Sequence, residues 1–228
     1  TTVFGRLVGE DATAFIAAFA VGGDAGMSMQ DVASYLEIPL HQLRDRTSKL
    51  AAGGVLLEVD RERLSVRPPP LRHALVRDVF FGGATALPIE PLLGKAPDSD
   101  ELTATIIGAR FRGARVPRTL LQSLIERCTS ADVWAGFAHL GRPEIEWTAT
   151  HHPQWLTRIR GAALDLAPAI GLPPLLRAAV SDNRALHSNP DHPLRIISDW
   201  VVSARPGSPL VMERRRALLA AAERWLKE

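Results

Sequence analysis

The sequence predicts a mainly α-helical protein, with a winged helix (three helices plus a β-hairpin) followed by an α-helical, armadillo- or HEAT-like domain. Three observations predict it. Helical apolar spacing recurs in short segments along the whole chain. Two β-patterned runs joined by a charged connection fall in one place, between residues 55 and 67. From Ala84 onward, helical segments are separated by polar or proline breaks, with no convincing strand among them. Residues 1–83 therefore read as a winged-helix domain with its following linker helix, and 84–228 as a helical, repeat-like domain. The chain's 228 residues suit two domains at ~100 residues each.

The first helix is expected over residues 11–20, with Phe15, Ile16 and Phe19 on one face and Glu10 and Asp11 at the end where the helix dipole favours acids. Gly22 and Gly23 stop it. Ser28-Met29-Gln30-Asp31 resembles a capping box and opens a second helix burying Val32, Ala33 and Leu36. Pro39 disfavours helical geometry at Ile38 and suits a first helical turn, so a tight turn leads into a third helix ending near Ala52. That helix buries Leu40, Leu43, Thr47 and Leu50, and Gly53-Gly54 ends it.

Residues 55–59 and 64–67, joined by Asp60-Arg61-Glu62-Arg63, form the expected hairpin. Pro68, Pro69 and Pro70 cannot continue a central strand. They lead into a helix over residues 71–81 with Leu71, Leu75, Val79 and Phe80-Phe81 as its apolar stripe. Beyond Gly82-Gly83, helices are expected over 102–111 behind a capping box of Asp98 and Glu101, over 118–128, and over 131–139 behind Thr129-Ser130. Four more fit 153–167, 172–180, 193–204 and 209–226. These lengths suit a solenoid of helix pairs. No fixed repeat signature appears, and a compact irregular helical domain is the alternative.

A hydrophobic fraction of 46% and a charged fraction of 23% are those of an ordinary globular protein. No apolar run reaches the ~18 residues of a transmembrane helix, and the first residues lack a signal-peptide pattern. The expected location is cytoplasmic. The start without Met reads as a piece cut from a longer polypeptide. Lys and Arg number 27 against 25 Asp and Glu, a balance too even to argue for nucleic acid. The single Cys128 excludes an intrachain disulfide framework and reads as a buried small hydrophobe.

No phosphate-binding loop, nucleophile elbow or zinc-protease helix is present, so the chain is read as non-catalytic, with no metal and no cofactor of its own. His151-His152 reads as a loop or cap. His187, Asp191 and His192 share a turn-rich segment without a fourth metal ligand, and His41 and His139 have no distinguishing context. The third helix is the element a winged helix ordinarily lays in a DNA groove. Its exposed face carries His41, Gln42, Asp45, Ser48 and Lys49, with Arg44 and Arg46 at the sides, and the hairpin adds Arg61 and Arg63. The DNA-binding candidates are thus Gln42, Arg44, Arg46, Lys49, Arg61 and Arg63. Asp45 at the centre repels phosphate, and a solvated or domain-contacting face is preferred. His73 is expected on the first turn of the helix after the hairpin, where free backbone N–H groups attract an anion.

The order of winged helix, proline-rich link, amphipathic helix and helical array resembles the region after the ATPase core of STAND proteins, signal-transduction ATPases with numerous domains. Residues 71–79 (LRHALVRDV) are similar to the Met-His-Asp motif of the NB-ARC branch, with His73 and the following Leu75-Val76-Arg77-Asp78 matching. Arg72 stands where the motif has Met, and Ala74 where it has Asp. The resemblance implies that the winged helix docks on a nucleotide-binding domain of the same polypeptide and that His73 senses the phosphate of bound ADP. It further implies ATP or ADP with Mg for the full-length protein, and a protein partner or self-association through the helical region. The rival expectations are a winged-helix DNA-binding regulator with a helical dimerisation or effector domain, and a helical adaptor in which the winged helix is only a cap.

Overall fold

A computed structural model describes residues 12–227; Glu10 and Asp11, expected to open the first helix, lie outside the described residues. The architecture is mainly helical with one three-stranded antiparallel sheet, and the chain divides into two compact units, one ending at Thr129 and the next beginning at Ser130.

In the first unit, α1 (Ala12–Ala20) is buried on every side rather than along one stripe: Phe15, Ile16, Ala17, Ala18, Phe19 and Ala20 are all inaccessible. A helix apolar all round belongs at the centre of a core. A 3₁₀ turn (Gly23–Ala25) leads to β1 (Met27–Ser28) and α2 (Met29–Tyr35), whose N-cap Ser28 accepts from the amides of Gln30 and Asp31. The third helix, α3 (Leu40–Ala52), buries Leu43, Thr47 and Leu50. The hairpin is β2 (Leu56–Glu58) and β3 (Arg63–Val66), with Leu57 opposite Ser65; β3 also pairs with β1, Met27 opposite Leu64. Sheet order is therefore β1-β3-β2.

Next, α4 (Pro69–Phe80) begins two residues earlier than the prolines led us to expect, because Pro at the first helical positions lacks only N–H groups that have no intrahelical acceptor. Its buried face is Arg72, Val76 and Phe80; of the expected stripe Phe80 is buried, while Leu71, Leu75, Val79 and Phe81 are half-buried. The short α5 (Glu90–Leu93) precedes α6 (Ser99–Phe111), capped by Asp98, and α7 (Arg118–Ile125) completes the unit. Because α4 packs on α1 and α6, and α6 on α7, contacts run unbroken past Gly83, where the sequence had placed a boundary; the division of contacts falls after Thr129.

The second unit is all-helical among the described residues: α8 (Ala131–Ala138), α9 (Arg142–His151), α10 (Trp155–Arg158), α11 (Ala162–Leu166), α12 (Pro168–Ser181), α13 (Pro193–Ser203) and α14 (Pro209–Trp225). The expected single helix over 153–167 is broken into α10 and α11, since Arg160 adopts a left-handed conformation at φ 51°. Helix α9 was not among the expected helices; Pro143 at its second position is compatible with a helix start. Its Trp147 joins Trp134 and Trp155 in a stack, Trp134 lying 6.4 Å from one ring and 4.8 Å from the other. No helix of the described residues is long and apolar enough to cross a membrane.

Candidate functional site

The helix carrying His73 starts without free donors. Pro69 and Pro70 have no N–H, and the amides of Leu71 and Arg72 both donate to the carbonyl of Pro68, at 2.9 and 3.4 Å. His73 is the fifth residue of α4, beyond its first turn. The anion seat expected at the helix start is therefore absent there, for the same reason that the prolines start the helix so well. The imidazole instead lies against Gly108 of α6: a Cβ at that glycine would come within 2.4 Å of Nε2. Burial holds the His73 pKa below its usual 6.5, and the positive charges of Arg72 and Arg112 push in the same direction.

A direct result is expected. His73 titrates below 6.5 in an NMR titration, and Gly108→Ala, by evicting the ring from its seat, moves the value back up toward 6.5. The sign for stability follows: a folded-state pKa below the unfolded one makes the unfolded chain the better proton acceptor. The His73 contribution is intact above pH 6.5 and declines as pH falls toward the folded-state value. His73→Gln removes that part of the slope. An unchanged titration in Gly108→Ala defeats the assignment.

The residue before it holds the unit together. Arg72 is 5% exposed, and its Nη1 pairs with the Asp24 carboxylate in the 3₁₀ turn. Arg67, at the end of the hairpin, reaches the same carboxylate at 3.3 Å. The Asp24 amide donates to Glu101 of α6 at 2.8 Å. Glu101 is the residue expected to close a capping box on its own helix, so its side chain serves the turn while Asp98 caps α6. Ser65 of β3 donates to the carbonyl of Gly23 at 2.8 Å. One charge network thus ties the turn, the hairpin, α4 and α6. The sequence reading missed it by following Leu71-Leu75-Val79; the equally spaced Arg72-Val76-Phe80 was the available signal, masked by a cation in a core position.

On α3, Gln42, Arg44, Asp45 and Lys49 are exposed and Arg46 is half-buried. Arg44 and Arg61 line one cavity of about 340 Å³ with Ser28, Met29, Gln30, Leu40 and Glu62, so two of the six nucleic-acid candidates come together. Arg63 does not join them: its guanidinium is bound to Asp60 at 2.6 Å. The Asp60 carboxyl is held below its usual pKa, first by accepting from the Glu62 amide and then from Arg63. The surface is of mixed sign, with Asp45 and Glu62 among its cations.

Other chemistry-bearing residues are absorbed by packing. Cys128 is buried beside Thr103 Oγ1 at 3.2 Å, and burial pushes its thiol up to about 12, so it is held as a neutral thiol. His192 is buried and caps α13 by accepting from the Leu194 amide, while His151 stacks on Trp147 at 5.2 Å. Among the described residues no group of His, Cys, Asp and Glu could hold a metal ion. Comparison with protein-family models, with curated proteins and with solved structures finds no match to this chain.

Proposed function

We propose that the chain is a non-catalytic regulatory and interaction segment of a STAND-type signalling ATPase in the cytoplasm. In this reading α1, α2, α3 and the hairpin form a winged helix that docks on a nucleotide-binding domain of the same polypeptide, and the helical region serves as sensor or scaffold. The observation that carries the proposal is the network centred on Arg72. It couples the helix with the NB-ARC-like residues to the hairpin and to α6, so a displacement of α4 by a nucleotide-binding domain is passed to both. Rigid coupling of this kind is what a nucleotide-dependent switch requires of its reporting element. His73 takes part by leaving its seat on Gly108 to reach a phosphate, which ties nucleotide state to the α4–α6 contact.

The test is calorimetry of this chain against the polypeptide encoded immediately before it, with ADP and with ATP and Mg. Expected is binding that differs between the two nucleotides and weakens in His73→Ala. A preceding sequence without a P-loop, or binding indifferent to nucleotide, ends the proposal.

The second reading, a DNA-binding regulator, is favoured by the approach of Arg44 and Arg61 to one cavity. It requires salt-sensitive binding of a labelled duplex that Arg44→Glu with Lys49→Glu abolishes. The mixed charge of α3 and the hairpin weighs against it.

A further inference from the structure

The helix α14 shows two unlike faces. Toward α12 and α13 it presents Arg214 and Ala221: Ala221 is buried, and Arg214 donates to Ser203 Oγ, pairs with Asp165 at 2.9 Å and lies over the Trp200 ring at 5.0 Å. On the opposite side are Met212, Leu219 and Leu226, which are 52%, 63% and 77% exposed. These three recur every seven residues, and seven residues of α-helix drift by only ~20° around the axis, so they form one seam along the helix. Exposed apolar side chains aligned along one helix mark a contact surface, whereas scattered ones carry no such meaning.

The charges beside the seam specify what can cover it. Arg216 and Glu223 are both exposed and, three residues before Leu219 and four after it, lie on the same flank of the seam; Met212 and Leu226 each lie seven residues from it. The pattern is therefore self-complementary about Leu219. A two-fold axis through that residue sets Leu219 against its own copy once, and sets Met212 against Leu226 of the partner subunit and Arg216 against Glu223 of the partner subunit twice each. Isologous contact of this sort is the commonest form of protein dimer. Parallel pairing in register would instead bring Arg216 beside Arg215 of the partner subunit and leave Glu223 beside Ala222 of the partner subunit, so the charges select the antiparallel arrangement.

We propose that α14 pairs with α14 of a second copy of this chain, antiparallel about Leu219, forming a homodimer through the second unit. The surface and its geometry stand whether or not the STAND reading holds. A single helix of 17 residues is ~25 Å long and makes a contact smaller than a standard protein interface of ~1,600 Å², so association is weak and concentration-dependent.

The experiment is sedimentation equilibrium of the full chain from about 5 to 500 µM at low salt, a range chosen for a weak interface. The wild type is expected to move from monomer to dimer across it. Arg216→Glu alone and Glu223→Arg alone each place two like-charge pairs in the interface, and each is expected to raise the dissociation constant roughly tenfold or more. The double variant Arg216→Glu with Glu223→Arg restores antiparallel pairing and returns the constant to within about threefold of wild type. Leu219→Asp abolishes the dimer. All the changed positions are exposed, so circular dichroism and melting temperature should stay at wild-type values and confirm that each variant folds. A wild-type chain that stays monomeric throughout, including where the face is taken by some other partner, overturns the proposal. So does a double variant no better than the singles.

Discussion

Asp24→Ala is expected to destabilise the first unit by about 3–5 kcal/mol, and Arg72→Met by only about 1–2 kcal/mol. The asymmetry comes from burial. Arg72 has 6% of its side chain exposed, and without Asp24 it is left as a buried charge whose nearest remaining polar contact is the Ser65 hydroxyl at 3.5 Å. Its Nε already has no acceptor. The Asp24 carboxylate is 44% exposed and keeps Arg67, so loss of Arg72 leaves it solvated and still paired. Met fills much of the vacated volume and asks for no hydrogen bond. In the double variant the penalty falls back to near that of Arg72→Met, because no charge remains to be stranded.

All five tryptophans lie in the second unit, so native-state hydrogen exchange of the α1 and α4 amides is the suitable probe of the first. Equal losses in the two single variants would falsify the account of Arg72 as the buried partner. A large loss in both would also bear on function, since the network couples α4 to the hairpin and to α6.

The second large effect is expected at Gly26. It precedes β1 at φ 71° and ψ 176°, a backbone region occupied almost only by glycine. A side chain there meets a second obstacle: its Cβ would stand 2.7 Å from the carbonyl oxygen of Leu64 in the neighbouring strand. Gly26→Ala is expected to cost about 3 kcal/mol, from backbone strain plus displacement of the β1–β3 pairing. Gly54 supplies the control. It also has positive φ, 72°, but a Cβ there meets nothing within 4 Å, so Gly54→Ala should cost about 1 kcal/mol. The same hydrogen-exchange measurement separates them, and similar losses at both positions would show that contact with Leu64 contributes little.

Much of the helical layout is legible in the residues. Ser28, Asp98 and Ser130 cap the helices they were expected to cap, because a short oxygen-bearing side chain at that position satisfies amides two or three residues away. The hairpin is equally local: two short runs and four charged residues leave the chain few other choices. Helix α9 was not expected, although Gly141 before it and Pro143 in its first turn are compatible with a helix start. The break at Arg160 was not expected either, since nothing about an arginine announces a left-handed backbone.

What the sequence by itself determined is therefore the caps of several helices, which segment forms strands, and that no phosphate-loop motif is written in it: properties set by side chains acting on their own neighbours. What only the tertiary structure decided is which face of α4 is buried and what the chemistry-bearing residues do there. Leu71-Leu75-Val79 and Arg72-Val76-Phe80 are equivalent at helical spacing. The choice of the second set depends on Asp24, 48 residues away, and on Glu101, 77 residues from Asp24, neutralising and orienting what would otherwise be a prohibitive burial. The same packing seats His73 on Gly108 and takes it away from the helix start. Long-range charge compensation leaves no periodic trace in a sequence, and it is what fixes the register of this site.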